Sequence, residues 1–416
     1  MISDQIKSKS IIISIVEDIN EIEQLTNSLG YEVFKTYIQN RRKPDVNSYI
    51  GQGKVEEIKN FIKNSNEIID LIVIDGKLKP SQWFNLEKNL NIKVYDRIRL
   101  ILEIFKLRAD KKEAKLQVRL AELQYEKPFV KELIHRARSG EHPGFMAGGE
   151  YQVDDYFEMI KKQIKKIKNN LNKIEIERKI QRKNRHICGF YLLSLAGYTN
   201  AGKSSILNIL SNEKIKVEEK LFSTLSTTSR KIENNNIPIL ITDTVGFIEN
   251  LPAWMINAFH STLEEIEVAD VVLLIVDASD DFEIFYKKLN VSYNELITIG
   301  VESSILIILN KIDLISDKNL EYKINYLNNN SIFKQRKIIP ISVKNKINIK
   351  ILLDEIYSSL PNIVKFNIKL PNNKKTQSLI NWIYNRAYVS EISYGNTIII
   401  TIECNVTIRD LIFSKI

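Results

Sequence analysis

Residues 191–210 read YLLSLAGYTNAGKSSILNIL, and this segment indicates the fold class of the chain. Its apolar start predicts a buried strand, and its end has the spacing of an amphipathic helix. The glycines, lysine and serine between them have the G-x-x-x-x-G-K-S spacing of a P-loop. In a P-loop, backbone N–H groups surround a phosphate, the lysine contacts the outer phosphates and the serine ligates Mg²⁺. The stretch therefore predicts a nucleotide site in a mostly parallel α/β sheet flanked by helices. The predicted contacts are Gly197, Tyr198, Thr199, Asn200, Ala201, Gly202, Lys203, Ser204 and Ser205.

A second segment, ILITDTVGF at residues 239–247, places a D-x-x-G sequence after another apolar strand. In this arrangement the carboxylate of Asp243 holds Mg²⁺ through water, and the N–H of Gly246 contacts the γ-phosphate. Thr244 and Val245 complete the predicted contacts of this segment. The pattern is weak alone, but behind a P-loop it is a strong indication of a nucleoside triphosphate site.

A third segment, SILIILNKID at residues 304–313, indicates which base is bound. A carboxylate at Asp313 accepts from N1–H and the exocyclic amine of guanine, whereas adenine would leave that carboxylate unpaired. We expect Lys311 to lie along the base plane and Asn310 to tie this loop to the P-loop. Because the three segments occur in this order, they predict a GTP-hydrolysing domain.

Two further segments match the expected nucleotide contacts of such a domain, but with lower specificity. In ISVK, residues 341–344, a backbone N–H near Val343 is expected to contact the guanine oxygen. LFSTLSTTSR, residues 221–230, lies where a first switch loop must lie and holds hydroxyl groups that could complete the Mg²⁺ shell. Thr224 is the preferred Mg²⁺ ligand, with Thr227 and Thr228 as alternatives. The predicted contacts are Leu221, Phe222, Ser223, Thr224, Ser342, Val343 and Lys344, and the predicted Mg²⁺ ligands are Ser204, Thr224 and, through water, Asp243.

The residue after Gly246 is Phe247, where Ras-like hydrolases carry the glutamine that orients the attacking water. The sequence therefore indicates no catalytic side chain at this point. We expect slow intrinsic hydrolysis that a docked partner accelerates.

Outside this domain the patterns predict three further parts. The first hundred residues alternate apolar strands with amphipathic stretches, which is typical of a small α/β domain. Within it, GQGK at residues 51–54 is a weak phosphate-site pattern, and a loop with a helix start is the preferred interpretation. Helical spacing from about residue 100 to 138 and from about 153 to 185 predicts a long hairpin. The end of the chain predicts a small α+β module. The predicted domains are residues 1–98, 99–186, 187–362 and 363–416.

The hairpin carries the charge of the chain. Residues 161–186 hold eleven Lys or Arg and two acids, a local net charge of +9, which equals the net charge of all 416 residues. A solvated helix face is the usual explanation of a charge run, but this concentration favours contact with RNA phosphates. The tip GEHPGFMAGG, residues 140–149, is either a solvated connector or a probe that inserts Phe145 and Met146 into a partner.

Composition excludes several classes of protein. The apolar fraction of 44% and the charged fraction of 27% are ordinary for a soluble protein, and no apolar run is long enough to span a membrane. The start of the chain lacks the layout of a secretory signal. Cys188 and Cys404 are far apart in sequence and lack Cys/His neighbours, so neither a disulfide framework nor zinc is indicated. We expect a cytoplasmic protein that is monomeric.

The chain resembles the HflX family of GTPases. The resemblance rests on GYTNAGKSS, LFSTL, DTVGFIENLP and AFHSTLEE, and more specifically on YIGQGKVEEI, DRIRLILEIF and EAKLQVRLAEL, and it covers about residues 40–345. The switch reads STTSR where the family usually has an Asp-Pro pair before the threonines, and the tip HPGFMAGGEYQVDDY is more similar to archaeal than to bacterial members.

The resemblance implies an N-terminal α/β domain with a helical extension, a GTPase domain that uses Mg²⁺, and a short C-terminal module. It also implies binding to the large ribosomal subunit, with ribosome splitting as in bacterial members. The first hypothesis is therefore a ribosome-associated GTPase that acts as a translation or stress factor. The second is a regulatory GTPase whose partner is a protein or a membrane surface.

Overall fold

The computed structural model of the chain describes residues 8–138, 149–211, 228–232, 237–244, 246–247, 254–255 and 260–416. The described strands form sheets of four, six and three strands. The chain divides into two compact units, Met1–Lys173 with Leu251–Ala258, and Ile174–Asn250 with Phe259–Ile416.

The first unit contains a parallel four-stranded sheet with the order β2-β1-β3-β4. Its central strands are apolar on both faces, as expected when helices cover both sides of a parallel sheet. The strands are β1 (Lys9–Ser14), β2 (Glu32–Ile38), β3 (Ile69–Ile74) and β4 (Lys93–Asp96). The helices are α1 (Asn20–Ser28), α2 (Gln52–Asn64), α3 (Pro80–Leu90) and α4 (Arg97–Arg108).

Two longer helices follow, α5 (Lys112–Arg138) and α6 (Gly149–Ile187). They share one apolar core, as the predicted hairpin requires; its buried members are Leu120, Leu123, Val130, Ile134, Ile160 and Ile167. The proposed probe of Phe145 and Met146 lies outside the described residues.

The expected single helix from residue 100 to 138 was wrong. The structure has α4 and α5 with a break at residues 109–111, where buried Ala109 has extended backbone (φ −79°, ψ 97°). Pro128 lies inside α5 without ending it. An internal proline costs about 3 kcal/mol, and the neighbouring Phe129 offsets it by packing against Tyr125 (ring centroids 4.7 Å apart) and Trp83 (5.5 Å).

The second unit contains a six-stranded sheet with the order β10-β9-β8-β5-β7-β6, in which only β6 is antiparallel to its described neighbour. The strands are β5 (Tyr191–Gly197), β6 (Thr228–Lys231), β7 (Ile239–Asp243), β8 (Val271–Asp277), β9 (Ser304–Asn310) and β10 (Ile338–Pro340). The helices are α7 (Lys203–Ser211), α8 (His260–Glu267), α9 (Phe282–Ile299), α10 (Asp317–Asn329) and α11 (Ile349–Ser358), with a 3-10 turn at Ile312–Leu314. After β5 the chain adds β6 and β7 on one side of this strand, and then β8, β9 and β10 on the other side. The direction of the strand order therefore reverses at β5, and α/β sheets bind ligands at such a point.

The end of the chain forms the predicted α+β module. Its antiparallel sheet has the order β11-β13-β12, with one face packed on two helices. The elements are β11 (Ile363–Pro371), α12 (Lys374–Tyr384), β12 (Tyr388–Ser393), β13 (Thr397–Asn405) and α13 (Val406–Phe413).

This module also packs on the six-stranded domain. Ile363 and Tyr388 lie against the core of that domain. Gly189, at the joint between α6 and β5, has φ +88°, and a Cβ there would lie 2.7 Å from the carbonyl oxygen of Arg386 and 2.8 Å from Cγ1 of Ile408. Glycine is therefore required at the joint both by its backbone conformation and by the space that the module leaves.

In the described part of the chain, no helix is long and apolar enough to cross a membrane. Within the same residues no group of His, Cys, Asp and Glu side chains could hold a metal ion by itself. Both cysteines are free thiols, and burial raises the pKa of Cys404 to about 11.

Candidate nucleotide site

The P-loop joins β5 to α7 through three residues with positive φ, Gly197 (+142°), Asn200 (+64°) and Gly202 (+100°). A Cβ at Gly197 would lie 2.2 Å from the carbonyl oxygen of Ile275 in the neighbouring strand β8. A Cβ at Gly202 would lie 2.2 Å from the side-chain nitrogen of Asn310. The two glycines thus provide the backbone turn and the close packing that bring this loop against two other strands.

Lys203, the first residue of α7, is only 8% exposed. Its ammonium group donates to the carbonyl oxygens of Gly197 (3.1 Å) and Tyr198 (2.8 Å), so the loop encloses it. Burial lowers the pKa of Lys203 to about 8, although the nearby carboxylate of Asp243 acts in the opposite direction. A cation held in this way inside a helix N-terminal loop attracts an anion, because the anion replaces the hydration that burial removed.

Ser204 and Asp243 face each other beside Lys203. The hydroxyl of Ser204 donates to Oδ2 of Asp243 at 2.7 Å, and Asp243 is 1% exposed at the end of β7. Thr244 fixes the same strand end by donating to the carbonyl oxygen of Leu195 at 2.7 Å. A hydroxyl and a carboxylate are hard oxygen ligands, so this pair fits Mg²⁺.

The segment after β7 pairs directly with the P-loop. The N–H of Phe247 donates to the carbonyl oxygen of Gly197, and the N–H of Thr199 donates to the carbonyl oxygen of Phe247, both at 2.9 Å. A Cβ at Gly246 would lie 2.8 Å from Nζ of Lys203. The side chain of Phe247 is 7% exposed. The sequence pattern did not predict this pairing, because it is made by backbone groups that any residue carries.

Asn310, at the end of β9, connects three loops. Its amide nitrogen donates to the carbonyl oxygen of Ala201 at 2.9 Å, which is the expected tie to the P-loop. Its amide oxygen accepts from the N–H of Val343 at 3.4 Å. The N–H of Val343 itself thus points to Asn310, and the Val343 side chain packs on the core.

The predicted base-reading residues lie on the same edge. Lys311 has φ +66° and pairs through Nζ with Oδ2 of Asp277 at 2.6 Å. Asp313, half-buried, accepts from the hydroxyl of Ser342 at 2.5 Å. That hydroxyl in turn accepts from the N–H of Asn345 at 3.1 Å, so one short loop orients the carboxylate, while Lys344 is exposed.

The structure leaves part of the prediction untested. Leu221, Phe222, Ser223, Thr224, Thr227 and Val245 lie outside the described residues. Thr228 begins β6, opposite Asp243 in the antiparallel pair. Ser205 lies in the first turn of α7.

The sequence patterns did not predict the side chains that hold the base-reading and phosphate segments from the neighbouring strand β8 and helix α9. Asp277 ends β8 and holds Lys311, and Lys288 lies 5.5 Å from the ring centre of Tyr198 while it pairs with Asp280 at 2.7 Å. The signal that could have found Asp277 is that it ends an apolar strand next to β9, as Asp243 and Asn310 end theirs.

The corresponding edge of the four-stranded sheet has different chemistry. Arg97 pairs there with both Glu21 and Asp75, the latter at 3.3 Å, and Ser14 donates to Asp75 at 3.2 Å. Burial raises the pKa of Asp75, and Arg97 counteracts this. In the GQGK segment, Gly51 precedes α2 with φ −63° and Lys54 pairs with Glu57 at 2.8 Å, so the segment has the loop and helix start of the preferred interpretation.

Comparison with known families gives three adjoining matches. Residues 16–106 match a family described as GTP-binding GTPase N-terminal, and residues 108–185 match one described as GTP-binding GTPase Middle Region. Residues 193–311 match a family described as 50S ribosome-binding GTPase.

Individual proteins agree with these matches. GTPase HflX of Thermococcus kodakarensis is 40% identical over 90% of this chain and 86% of its own length. GTPase HflX of Methanocaldococcus jannaschii is 40% identical over 92% of both chains. A crystal structure of an SsGBP and GDP complex is 29% identical, with a TM-score of 0.52 over 84% of this chain and 98% of that one. These similarities extend over the N-terminal, middle and P-loop parts together and confirm the resemblance and the fold class inferred from sequence: the chain belongs to the HflX family and is a GTP-binding GTPase.

Proposed function

We propose that GTP and Mg²⁺ bind at the carboxyl edge of the six-stranded sheet, and that the nucleotide controls association with the large ribosomal subunit. The observation that carries the site is the position of Asn310, whose side chain bonds the P-loop on one side and the Val343 loop on the other. A phosphate loop and a base-reading loop that share one side chain must move together. The GDP bound in the similar SsGBP structure supports the same ligand class.

At the phosphate end, Lys203 and the N–H groups of the P-loop bind the β- and γ-phosphates. The carbonyl oxygens of Gly197 and Tyr198 accept from the ammonium of Lys203 and orient it within the loop. A bound phosphate favours the charged form of this lysine, because it adds a negative partner inside a buried loop.

Ser204 and Asp243 are the residues that would hold Mg²⁺, with a switch hydroxyl, Thr224 in our prediction, completing the set. A bound Mg²⁺ neutralises charge on the β- and γ-phosphate oxygens. Asp243 is oriented for this by its strand and by the hydroxyl of Ser204.

At the base end, Asp313 accepts from the guanine N1–H and amine, and the stem of Lys311 lies along the base. Both residues are held by neighbouring side chains, Asp313 by Ser342 and Lys311 by Asp277. Preorganised groups lose less entropy on binding, which favours tight nucleotide affinity.

Intrinsic hydrolysis is slow in this proposal, because Phe247 is apolar and turned into the protein where a polar group would orient water. Single-turnover hydrolysis of GTP, measured with and without purified ribosomes, tests it. We expect acceleration of at least about tenfold with large subunits, equivalent to about 1.4 kcal/mol in the barrier. Fast hydrolysis by the isolated protein would contradict the proposal.

The ribosomal partner is supported by the description of the family matched at residues 193–311 and by the charge of α6. Among the residues of this helix whose burial the structure describes, the exposed lysines are Lys161, Lys162, Lys165, Lys166, Lys168 and Lys173. A row of exposed ammonium groups attracts RNA phosphates, and the attraction falls steeply with salt.

The test is cosedimentation with ribosomes in a non-hydrolysable GTP analogue or in GDP, across a salt series. The variant K165E/K166E/K168E should bind with a shallower salt dependence, by about three in the slope of log K against log salt. The matched control is K369E/K374E/K375E, which reverses the same number of exposed lysines on the C-terminal module. If ribosomes bind neither nucleotide form, the alternative partner, a protein or membrane surface, replaces this proposal.

The remaining predictions are part of the same proposal. They are the division at residues 98, 186 and 362, the monomeric state, the cytoplasmic location and the splitting of ribosomes. Sedimentation of the two subunits after incubation with GTP measures the last of these directly.

A further inference from the structure

The loop between β8 and α9, residues 278–281, lies directly behind the base-reading edge. The N–H of Ala278 donates to the carbonyl oxygen of Asn310 at 2.8 Å. Asp277, at the start of this loop, uses both carboxylate oxygens. Oδ1 accepts from the N–H and the hydroxyl of Ser279 at 2.9 and 2.6 Å, and Oδ2 accepts from Lys311 at 2.6 Å. The conformation of this loop therefore sets the position of the Lys311 ammonium.

A buried lysine on another helix holds the loop. Lys323 of α10 is 5% exposed, and its Nζ donates to the carbonyl oxygens of Ala278 at 2.8 Å and Asp280 at 2.6 Å. The same ammonium group lies 5.0 Å from the ring centre of Phe285. Burial of a lysine is costly, and it persists here because the loop carbonyls and an aromatic face surround the charge.

The acidic side chains that face Lys323 come from the loop itself. Burial lowers the pKa of Lys323, and Asp280, Asp277 and Asp281 counteract this. The carboxylate of Asp280 is paired with Lys288, which also approaches the ring of Tyr198 in the P-loop. The loop thus contacts the base-reading segment through Asp277 and the phosphate segment through Lys288.

We propose that Lys323 is a positioning residue for guanine binding, which acts by holding the 278–281 loop so that Asp277 fixes Lys311 along the base. The inference rests on the proposed placement of guanine against Lys311 and Asp313. Removal of the ammonium leaves the buried carbonyl oxygen of Ala278 and the part-buried one of Asp280 without their donor, so the loop shifts to regain hydrogen bonds. Lys311 then loses the fixed position from which its stem covers the base.

The first measurement is GDP and GTPγS affinity of K323M, by titration with fluorescent nucleotide. Both affinities should fall about tenfold and to the same extent, because the base is common to both ligands and the γ-phosphate is not. The single-turnover rate at saturating GTP should stay within about twofold of the wild-type rate. The matched control is K318M, an exposed lysine on the same helix, which should leave affinity unchanged. A loss of rate at saturation with unchanged affinity would overturn the proposal.

A double-mutant cycle of K323M with K311A separates positioning from general damage. If Lys323 acts through Lys311, the double variant should bind GDP no more than about twofold more weakly than K311A. If the loss of GDP affinity in the double variant equals the product of the two single losses, Lys323 does not act through Lys311, and the inference is overturned. If K311A by itself leaves GDP affinity unchanged, the placement of guanine fails instead, so the two failures are distinguishable.

Thermal unfolding of each variant accompanies the cycle. If K323M lacks a cooperative transition, the cycle is run with K323Q in its place, whose shorter side chain loses the charge but keeps an N–H donor for the loop carbonyls. Losses of K323Q and K311A that do not multiply support the path through the loop, and fully multiplied losses overturn it.

Discussion

The parallel four-stranded sheet and the mostly parallel six-stranded sheet each have a glycine-lysine segment, and the two segments differ in backbone conformation. In the six-stranded sheet, the segment follows its strand directly and contains three residues with positive φ, and its lysine is enclosed by carbonyl oxygens. In the four-stranded sheet, GQGK begins a helix with ordinary backbone angles, and Lys54 pairs with Glu57. A phosphate site therefore depends on where the backbone turns, and the spacing of glycine and lysine alone does not create one.

Removing each lysine in turn tests whether the two segments differ in nucleotide binding. K203M should weaken GDP binding at least about 100-fold, because a buried charge that contacts two phosphates contributes about 3 kcal/mol. K54M should leave GDP affinity within about twofold. Isothermal titration of both variants measures this, and an equal loss in both would mean that the N-terminal segment also contacts nucleotide.

The glycines give a second matched pair. In G202A the new methyl group meets the side chain of Asn310 at a residue with φ +100°, so both nucleotide affinity and stability should fall, the latter by about 2 kcal/mol. In G53A the methyl group meets nothing within 4 Å, and the helix should gain roughly 0.5–1 kcal/mol. Chemical denaturation of the two variants checks the opposite signs. A destabilised G53A would show that this part of α2 is constrained by something other than helix propensity.

At the edge of the four-stranded sheet, Arg97 stabilises the fold through its ion pairs with Glu21 and Asp75. R97M leaves the buried carboxylate of Asp75 without its partner and should lower the free energy of unfolding by about 2 kcal/mol. Its GDP affinity should equal that of the wild type. Denaturation and titration on the same sample test both statements, and a selective loss of GDP binding would show that the two sheets communicate.

The pH dependence of GDP binding tests the protonation state of Lys203. Because its pKa is about 8 and bound phosphate favours the charged form, binding takes up a proton above pH 8. Affinity should fall by up to about tenfold per pH unit as pH rises above 8. For folding without nucleotide the sign is opposite, because burial penalises the charged form, so stability should rise from pH 8 upward. Lys203→Arg stays charged and should lack the slope; a slope that persists in that variant would assign it to another group.

Much of the site follows from sequence because its parts are local. Asp243 and Asn310 end apolar strands, and parallel strands bring their carboxyl ends to one edge. The contact of Asn310 with the P-loop was predicted from the NKID pattern and is confirmed. The strands of the first hundred residues and the α+β end were predicted for the same reason, because their alternation is visible over short windows.

The parts that could not be predicted depend on distant residues or on backbone alone. The break between α4 and α5 contains neither glycine nor proline, so no local signal marks it, and the residue with extended backbone there, Ala109, is buried. The pairing of Phe247 with Gly197 uses only N–H and C=O groups. Lys323 lies 45 residues from Ala278, and a lysine in an amphipathic helix gives no signal that its charge is buried.

The joint at Gly189 has a consequence for protein engineering. The C-terminal module covers this glycine, and Tyr388 and Ile363 of the module lie on the core of the six-stranded domain. A fragment cut to residues 187–362 would expose that apolar surface to water and to other copies of itself. Rate and affinity constants measured on such a fragment would then include its aggregation, whereas the same constants measured with residues 363–416 attached would describe the enzyme.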